Sequence, residues 1–277
     1  MKLIVHADDF GLTERVNEGI IRAHVEGILT STSIMACGKA FEHAVELIKA
    51  ERTLDVGIHL TLAEEHPVLH PDDIPSLVVE NGHFYPHAKH FFMRYIQNKI
   101  AIDEVRREFK AQFEKVLDYG VRLTHIDSHQ HIHILPKIFE LTVEIAKKYR
   151  IKIIRTPNEK IQQYMFYRLP SYPRLVQLLI IKTILRFVNH NKEYISPQFF
   201  GFFYGGKLDR NNLMRVIDTL PKHGVGEIMC HPGLHDVDSD YTHWEYDWQD
   251  ELEALTDTNV RTIINKKNIS LISYRDW

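Results

Sequence analysis

The amino-acid sequence predicts an α/β fold, a distorted (β/α) barrel of the TIM-like type with seven to eight strands, in a single domain over residues 1–277. Three observations support this prediction. Short apolar runs typical of buried parallel strands alternate with segments whose apolar residues recur at helical spacing. Several of these runs end in Asp or His, as expected where parallel strands carry functional side chains to one end of a barrel. The length of 277 residues is also close to that of one such barrel.

The first part of the chain predicts three strands joined by two amphipathic helices. Residues 3–7, 31–35 and 54–62 form apolar runs that favour buried strands. The first helix has one apolar face, formed by Val16, Ile20 and Ala23. The second helix has a similar face, formed by Phe41, Ala44, Val45 and Ile48.

The middle part begins with an irregular insertion at about residues 63–97, which contains four prolines and several histidines. A long irregular segment after a strand often builds a binding wall or a lid. A helix is then predicted over 102–117, a strand over 123–127 and a second helix after Pro136.

The last part predicts further strand and helix units. Strands are expected at 151–155, 199–206, 225–230 and 269–274, and helices from about Asn211 and over 258–266. The longest apolar stretch, 175–188, is too short to span a membrane and contains Lys182 and Arg186. We expect it to pack on the core or on a second subunit, in a homodimer.

The composition excludes several classes of protein. Hydrophobic residues make up 44% of the chain and charged residues 26%, as in ordinary globular domains. The 34 Lys and Arg against 37 Asp and Glu leave a formal net charge of −3, so no basic field favours nucleic acid or membranes. Cys37 and Cys230 lie far apart in apolar contexts, which predicts free buried thiols. We expect a cytoplasmic protein, because no secretory signal is visible.

Asp8 and Asp9 follow the first predicted strand. Neighbouring residues at a strand end point in different directions, so one carboxylate can bind a metal while the other accepts a proton from water. The pair could instead cap a helix or a turn, but histidines at similar places on other strands favour the functional interpretation. His59 lies in a nearly continuous apolar strand, where it is either a core histidine or a metal ligand.

The segment THIDSHQHIH holds the densest group of candidate ligands. Alternation places His125, Asp127 and His129 on one face of an extended strand. His131 and His133 would follow if the strand continued. We expect at least one metal ligand here and other histidines that orient the ligands. The spacing does not decide which histidine does which.

His231 follows another predicted strand and precedes Pro232. It is either a turn residue or a general acid that protonates a leaving group from the side opposite the metal. One carboxylate and two imidazoles suit Zn²⁺, and also Mn²⁺, Fe²⁺ or Co²⁺. Such an ion can lower the pKa of bound water and polarise a carbonyl, so the predicted reaction class is metal-assisted hydrolysis.

Six segments in order along the chain resemble the YdjC-like carbohydrate deacetylases, a family that includes the chito-oligosaccharide deacetylases of chitobiose utilisation. The segments are HADDFGLT, ILTSTSIMA, GIHLTL, THIDSHQHIHILP, EIMCHPG and LISYRDW. His6 is a small departure, since the family often has Asn there. The resemblance implies a distorted (β/α) barrel that hydrolyses an N-acetyl group from a sugar such as diacetylchitobiose, with release of acetate.

The same resemblance implies roles for particular residues. The implied metal ligands are Asp9, His59 and His129. Asp8 is the implied general base and His231 the general acid. Arg155 lies where a similar arginine contacts the substrate or the base. We expect one divalent ion, Mg²⁺ or Zn²⁺ before Mn²⁺, Fe²⁺ or Co²⁺, and a small acetylated sugar as the substrate.

Two other functions are compatible with the sequence. One is a metal-dependent hydrolase of a phosphoester or another amide, although no Gly-rich phosphate loop is evident. The other is a non-catalytic sugar- or metal-binding protein, which would lack an acid or a base, whereas Asp8, Asp9 and His231 are all present. Four aromatic residues could stack on sugar rings or lie in the core: Phe84, Tyr85, Phe202 and Tyr204.

Overall fold

Parallel strands form the centre of the molecule. The computed structural model describes residues 1–166, 172–188, 194–235 and 240–277, and within them eight strands make one sheet. The strands are β1 (Lys2–Phe10), β2 (Ser31–Ile34), β3 (Asp55–Leu60), β4 (His125–Ser128), β5 (Ile153–Ile154), β6 (Gln198–Phe200), β7 (Val225–Cys230) and β8 (Ser270–Leu271).

The sheet curls into the predicted distorted barrel. Its order is β5-β4-β3-β2-β1-β7-β6, and β8 pairs with the first residues of β1. A parallel bridge between Ile153 of β5 and Ile195, just before β6, connects the two outer edges. All pairs in the sheet are parallel, so the carboxyl ends of the strands meet at one mouth.

Helices connect the strands. They are α1 (Glu14–Val25), α2 (Phe41–Ala50), α3 (Ala88–Ile96), α4 (Ile102–Asp118), α5 (Pro136–Lys148), α6 (Tyr172–Leu185), α7 (Arg210–Thr219), α8 (Trp248–Thr256) and α9 (Thr258–Lys266). The Thr13 hydroxyl caps α1 by accepting from the Val16 N–H at 3.1 Å, and Pro136 begins α5. The sequence pattern did not indicate α3, which lies within the stretch at 63–97, or α8. Strands β5, β6 and β8 are shorter than predicted, and the strand expected at 199–206 ends at Phe200.

The two faces of β1 have different surroundings. Leu3 and Val5 belong to the large apolar core, whereas Ile4 belongs to a separate small apolar cluster. Alternate residues of a strand face opposite sides, so His6 and Asp8 lie on the same face as Ile4, inside the curled sheet. Both are buried. The interior of the barrel therefore has a small apolar cluster around Ile4 and polar side chains nearer the carboxyl end of β1.

The apolar stretch at 175–188 lies mostly in α6, as predicted for a helix. No helix in the described ranges is both long enough and apolar enough to cross a membrane. Both cysteines are free thiols, with Cys230 buried and Cys37 half-buried. The prediction of free thiols is confirmed, although Cys37 is less buried than expected.

Candidate active site

The end of β1 carries an irregularity that separates its two aspartates. The register between β1 and β2 shifts between Ala7 and Phe10, and Asp9 adopts a left-handed φ of 65°. Non-glycine residues rarely adopt this conformation, and where they do the strain is often associated with a functional site. As a result, Asp8 contacts Arg155 inside the barrel while Asp9 contacts two histidines at the mouth.

Asp9, His59 and His129 meet at this mouth. Asp9 Oδ1 lies 3.2 Å from His59 Nε2 and 3.1 Å from His129 Nδ1. The three side chains come from β1, from β3 and from the turn after β4, and all are buried. Their potential ligand atoms lie within 4.8 Å of one another. The fold thus brings together three residues that are far apart in sequence.

A second carboxylate contacts the far side of each imidazole. His59 Nδ1 lies 2.8 Å from Asp127 Oδ1, and His129 Nε2 lies 3.0 Å from Glu64 Oε2. Burial opposes protonation of both rings, but these carboxylates and Asp9 outweigh it. They raise the pKa of His59 to about 9 and that of His129 to about 10. An aspartate with two imidazoles, each held by another carboxylate, is a donor set that suits a divalent metal.

Among the residues that the structure describes, two other groups of His and Asp side chains are close enough to hold an ion, and both include Asp127. Asp127 Oδ2 lies only 3.0 Å from Arg155 Nη1. A guanidinium repels a nearby cation. The group centred on Asp9 is therefore the one whose charges best suit a metal.

Arg155 lies inside the barrel with its side chain fully buried. Its Nη1 donates to Asp8 Oδ2 at 2.8 Å, and its Nε donates to Glu227 Oε1 at 2.6 Å. Buried charges are tolerated when they are paired and hydrogen-bonded, as they are here. Of the two contacts that the resemblance implied for this arginine, the structure has the one with Asp8.

His231 follows β7 at the level of the two aspartates. The register pairs Ala7 of β1 with Cys230 of β7, so the next residues in each strand lie side by side. The His231 ring is 4.7 Å from the ring of Tyr246, and burial lowers the pKa of its imidazole. Its backbone N–H donates to Glu251 Oε2 at 2.5 Å. Glu251, on the unpredicted helix α8, therefore holds the loop that carries His231.

The alternation of histidines after Asp127 does not continue. Strand β4 ends at Ser128, and the chain turns because Gln130 and His131 adopt left-handed φ angles of 50° and 56°. His131 and His133 therefore do not extend the strand face that holds His125 and Asp127. His129 precedes these two residues, directly after the end of β4, and its Nδ1 lies 3.1 Å from Asp9 Oδ1.

The other histidines of this segment have structural contacts. His133 Nδ1 lies 2.5 Å from Ser128 Oγ, and its Nε2 donates to the Arg155 carbonyl at 2.8 Å. Burial lowers the pKa of His133 to about 4, so its ring is neutral. His125 stacks on Tyr274 with ring centroids 3.9 Å apart, and burial lowers its pKa as well. His131 is buried against the rings of phenylalanines.

The four aromatic candidates for sugar stacking, Phe84, Tyr85, Phe202 and Tyr204, are buried, so the core alternative holds for each. Two other rings border the candidate site and are partly exposed. Trp244 lies 5.0 Å from the His129 ring, and Tyr246 packs on His231. The sequence pattern around residues 240–248 did not indicate these contacts.

A parallel α/β barrel whose strand ends gather an aspartate pair and histidines is an enzyme-type fold with a candidate metal site. A sequence profile of the family described as YdjC-like protein matches residues 2–266. The chain belongs to the YdjC-like family, which confirms the resemblance found in its motifs.

Relatives of the chain match it over nearly its full length. The carbohydrate deacetylase of Clostridium beijerinckii is 34% identical over 281 residues, covering 100% of both chains. The chitooligosaccharide deacetylase of Proteus mirabilis is 30% identical and covers 99% of this chain and 98% of its own. A crystal structure of an Enterococcus faecalis V583 protein named for cellobiose-phosphate cleavage has a TM-score of 0.74 at 27% identity, covering 99% of this chain and 98% of that one.

Proposed function

We propose that the protein is a metal-dependent carbohydrate deacetylase, which hydrolyses the N-acetyl group of an acetylated sugar and releases acetate. The observation that carries the proposal is the meeting of Asp9, His59 and His129 beside Asp8 and His231. Full-length relatives named carbohydrate deacetylase support the enzyme class.

Asp9, His59 and His129 would hold the divalent ion. Each imidazole presents one nitrogen to Asp9, and a carboxylate fixes its other nitrogen. When bound, such an ion polarises a carbonyl and lowers the pKa of water. We expect Mg²⁺ or Zn²⁺, and Mn²⁺, Fe²⁺ or Co²⁺ also suit this donor set.

Asp8 acts as the general base. It accepts a proton from the water that attacks the acetyl carbon, and Arg155 holds its carboxylate in place through Oδ2. Because Arg155 is fully buried and contacts Asp8, we assign it to positioning the base rather than to holding the sugar.

His231 acts as the general acid. As the bond between the acetyl carbon and the sugar nitrogen breaks, His231 donates a proton to that nitrogen, which leaves as the free amine. Burial lowers the pKa of His231, so its imidazolium is a stronger acid than an exposed one. Glu251 keeps the backbone of His231 in place.

The proposed substrate is an acetylated chito-oligosaccharide such as diacetylchitobiose, which would place the enzyme in chitin degradation. The name of the Proteus mirabilis relative supports this choice. The experiment is a panel of N-acetylated sugars, assayed for acetate after chelation and after reloading with each candidate metal. Release from the chito-oligosaccharides that stops on chelation is expected. Release that survives complete removal of metal would refute the metal dependence.

We also propose that α6 forms a homodimer interface. Large apolar side chains on and after this helix are exposed: Tyr172 (59%), Val176 (53%), Leu179 (47%), Ile180 (48%) and Phe187 (74%). Lys182 and Arg174, in contrast, donate to atoms of the protein body. A contiguous apolar face of this kind is typical of a subunit interface. Light scattering should give a dimer that Ile180→Lys converts to a monomer, and a monomeric wild type would refute the proposal.

A further inference from the structure

Glu64 contacts the imidazole of His129 on the side away from Asp9. Its Oε2 lies 3.0 Å from His129 Nε2, while His129 Nδ1 lies 3.1 Å from Asp9 Oδ1. The ring is therefore held between two carboxylates, one at each nitrogen. The Glu64 side chain is only 7% exposed, so water competes little for this contact.

The second histidine of the group has the same arrangement. His59 Nε2 lies 3.2 Å from Asp9 Oδ1, and its Nδ1 lies 2.8 Å from Asp127. Histidines that bind metals usually donate their other N–H to a carboxylate or carbonyl, which fixes the tautomer and the ring orientation. Asp127 fulfils this condition for His59, and Glu64 fulfils it for His129.

Glu64 is itself held firmly, with its backbone in a conformation that residues other than glycine rarely adopt. Its φ is 70°, in the left-handed region. Its backbone N–H donates to the Tyr85 carbonyl at 2.8 Å, and Gln130 Nε2 donates to its Oε1 at 2.8 Å. His87 Nδ1 lies 3.5 Å from the same oxygen. These contacts fix the carboxylate and join it to the stretch at 63–97.

We propose that Glu64 is a positioning residue for the metal site. It holds His129 as the tautomer protonated on Nε2, so that Nδ1 is free to face the metal beside Asp9. This inference rests on the proposed metal site, but it does not depend on which substrate the enzyme uses. It also gives the stretch at 63–97 a direct connection to that site.

The test is the dissociation constant for Zn²⁺, measured by competition with a chromogenic chelator. Loss of a carboxylate that orients a ligand typically weakens metal binding by about 10–100-fold, and we expect this for Glu64→Ala. Glu64→Gln retains an oxygen that can accept from Nε2, so it should recover part of the loss. Glu65→Gln is the matched control, because Glu65 is buried nearby but bonds Tyr241 instead.

Thermal unfolding of the metal-free variants shows whether each one folds. If Glu64→Ala fails to fold, Glu64→Gln carries the comparison. Wild-type Zn²⁺ affinity in the folded Glu64 variants would overturn the proposal, as would an equal loss in Glu65→Gln. A Glu64-dependent affinity in a protein that releases no acetate from any sugar would support the proposal and refute the deacetylase function. The two ideas can therefore fail separately.

Discussion

Metal binding at this site is expected to release two protons at pH 7, one from each histidine of the group. Each ring of His59 and His129 has a carboxylate at both nitrogens, and only an imidazolium can donate from both. In accord with this geometry, the pKa of His59 is raised to about 9 and that of His129 to about 10. A metal must displace one proton from each ring. Two protons and one divalent ion carry the same charge, so the exchange leaves the charge of the site unchanged.

The expected magnitude follows from that count. Each displaced proton changes the apparent affinity tenfold per pH unit, which is about 1.4 kcal/mol. Two protons therefore give about a 100-fold change per unit, or about 2.7 kcal/mol. The sign is fixed because protons compete with the metal. Affinity rises as the pH rises, and the slope declines as the pH approaches 9, where His59 loses its proton in the metal-free protein.

The assay is calorimetric titration of Zn²⁺ at about pH 7 in several buffers of different protonation enthalpy. The slope of the observed binding enthalpy against the buffer's protonation enthalpy gives the number of protons released. Chelator competition at about pH 6.5 and pH 7.5 should give the matching change in affinity. Asp9→Ala removes the carboxylate between the rings, so it should remove binding and the proton signal together. Release of fewer than one proton, with an affinity independent of pH, would refute the argument.

Three substitutions test other parts of the structure. Gly57→Ala would place a Cβ 2.3 Å from the His125 ring, so the free energy of unfolding in urea should fall by about 1–3 kcal/mol. Wild-type stability would contradict the close packing of His125 against Gly57. Arg155→Met leaves the buried carboxylates of Asp8 and Glu227 without their cation, and the free energy of unfolding in urea should fall by about 3–5 kcal/mol. A smaller loss would mean that these carboxyl groups are already protonated. His231→Gln should lower the rate of acetate release about 10²–10⁴-fold with Zn²⁺ affinity unchanged, and an unaltered rate would exclude it as the acid.

The regular elements of the fold could be predicted because each has a local signature. The face of α1, with Val16, Ile20 and Ala23, has helical spacing, and β7 is a short apolar run. Helices α3 and α8 have only nine residues each, and the polar residues within them are of types that are also common in loops. Strands β5 and β8 each pair with a neighbouring strand over only two residues, and no local sequence pattern marks where the pairing stops.

The family resemblance implied that Asp9, His59 and His129 share one ion, but strand alternation alone did not decide among the histidines. Strand alternation holds for His125 and Asp127, and it ends where Gln130 and His131 adopt left-handed angles that their residue types do not require. The three-dimensional structure adds the geometry, in which His129 Nδ1 lies 3.1 Å from Asp9 Oδ1, 120 residues away in sequence.

The supporting carboxylates could not be predicted for a related reason. Glu64 lies in an irregular stretch and Glu251 on a short helix, where a glutamate is usually solvated. Both contact residues brought close only by folding, His129 in one case and the backbone of His231 in the other. The four aromatic candidates lie in the core, which was one of the two alternatives, because ring-rich segments are as typical of a core as of a sugar site.

The most direct test of the proposed function is acetate release from N,N′-diacetylchitobiose by the metal-loaded protein, with Asp8→Asn measured beside it. The Asp8 carboxylate is paired with Arg155 and is not itself a proposed ligand, so the variant should keep its metal. We expect release from the wild type, and none from the chelated protein or from the metal-loaded variant. The deacetylase function would be contradicted if the fully metal-loaded wild type released no acetate from this sugar or from a panel of other N-acetyl sugars. Full activity in Asp8→Asn would contradict the role of Asp8 as the base.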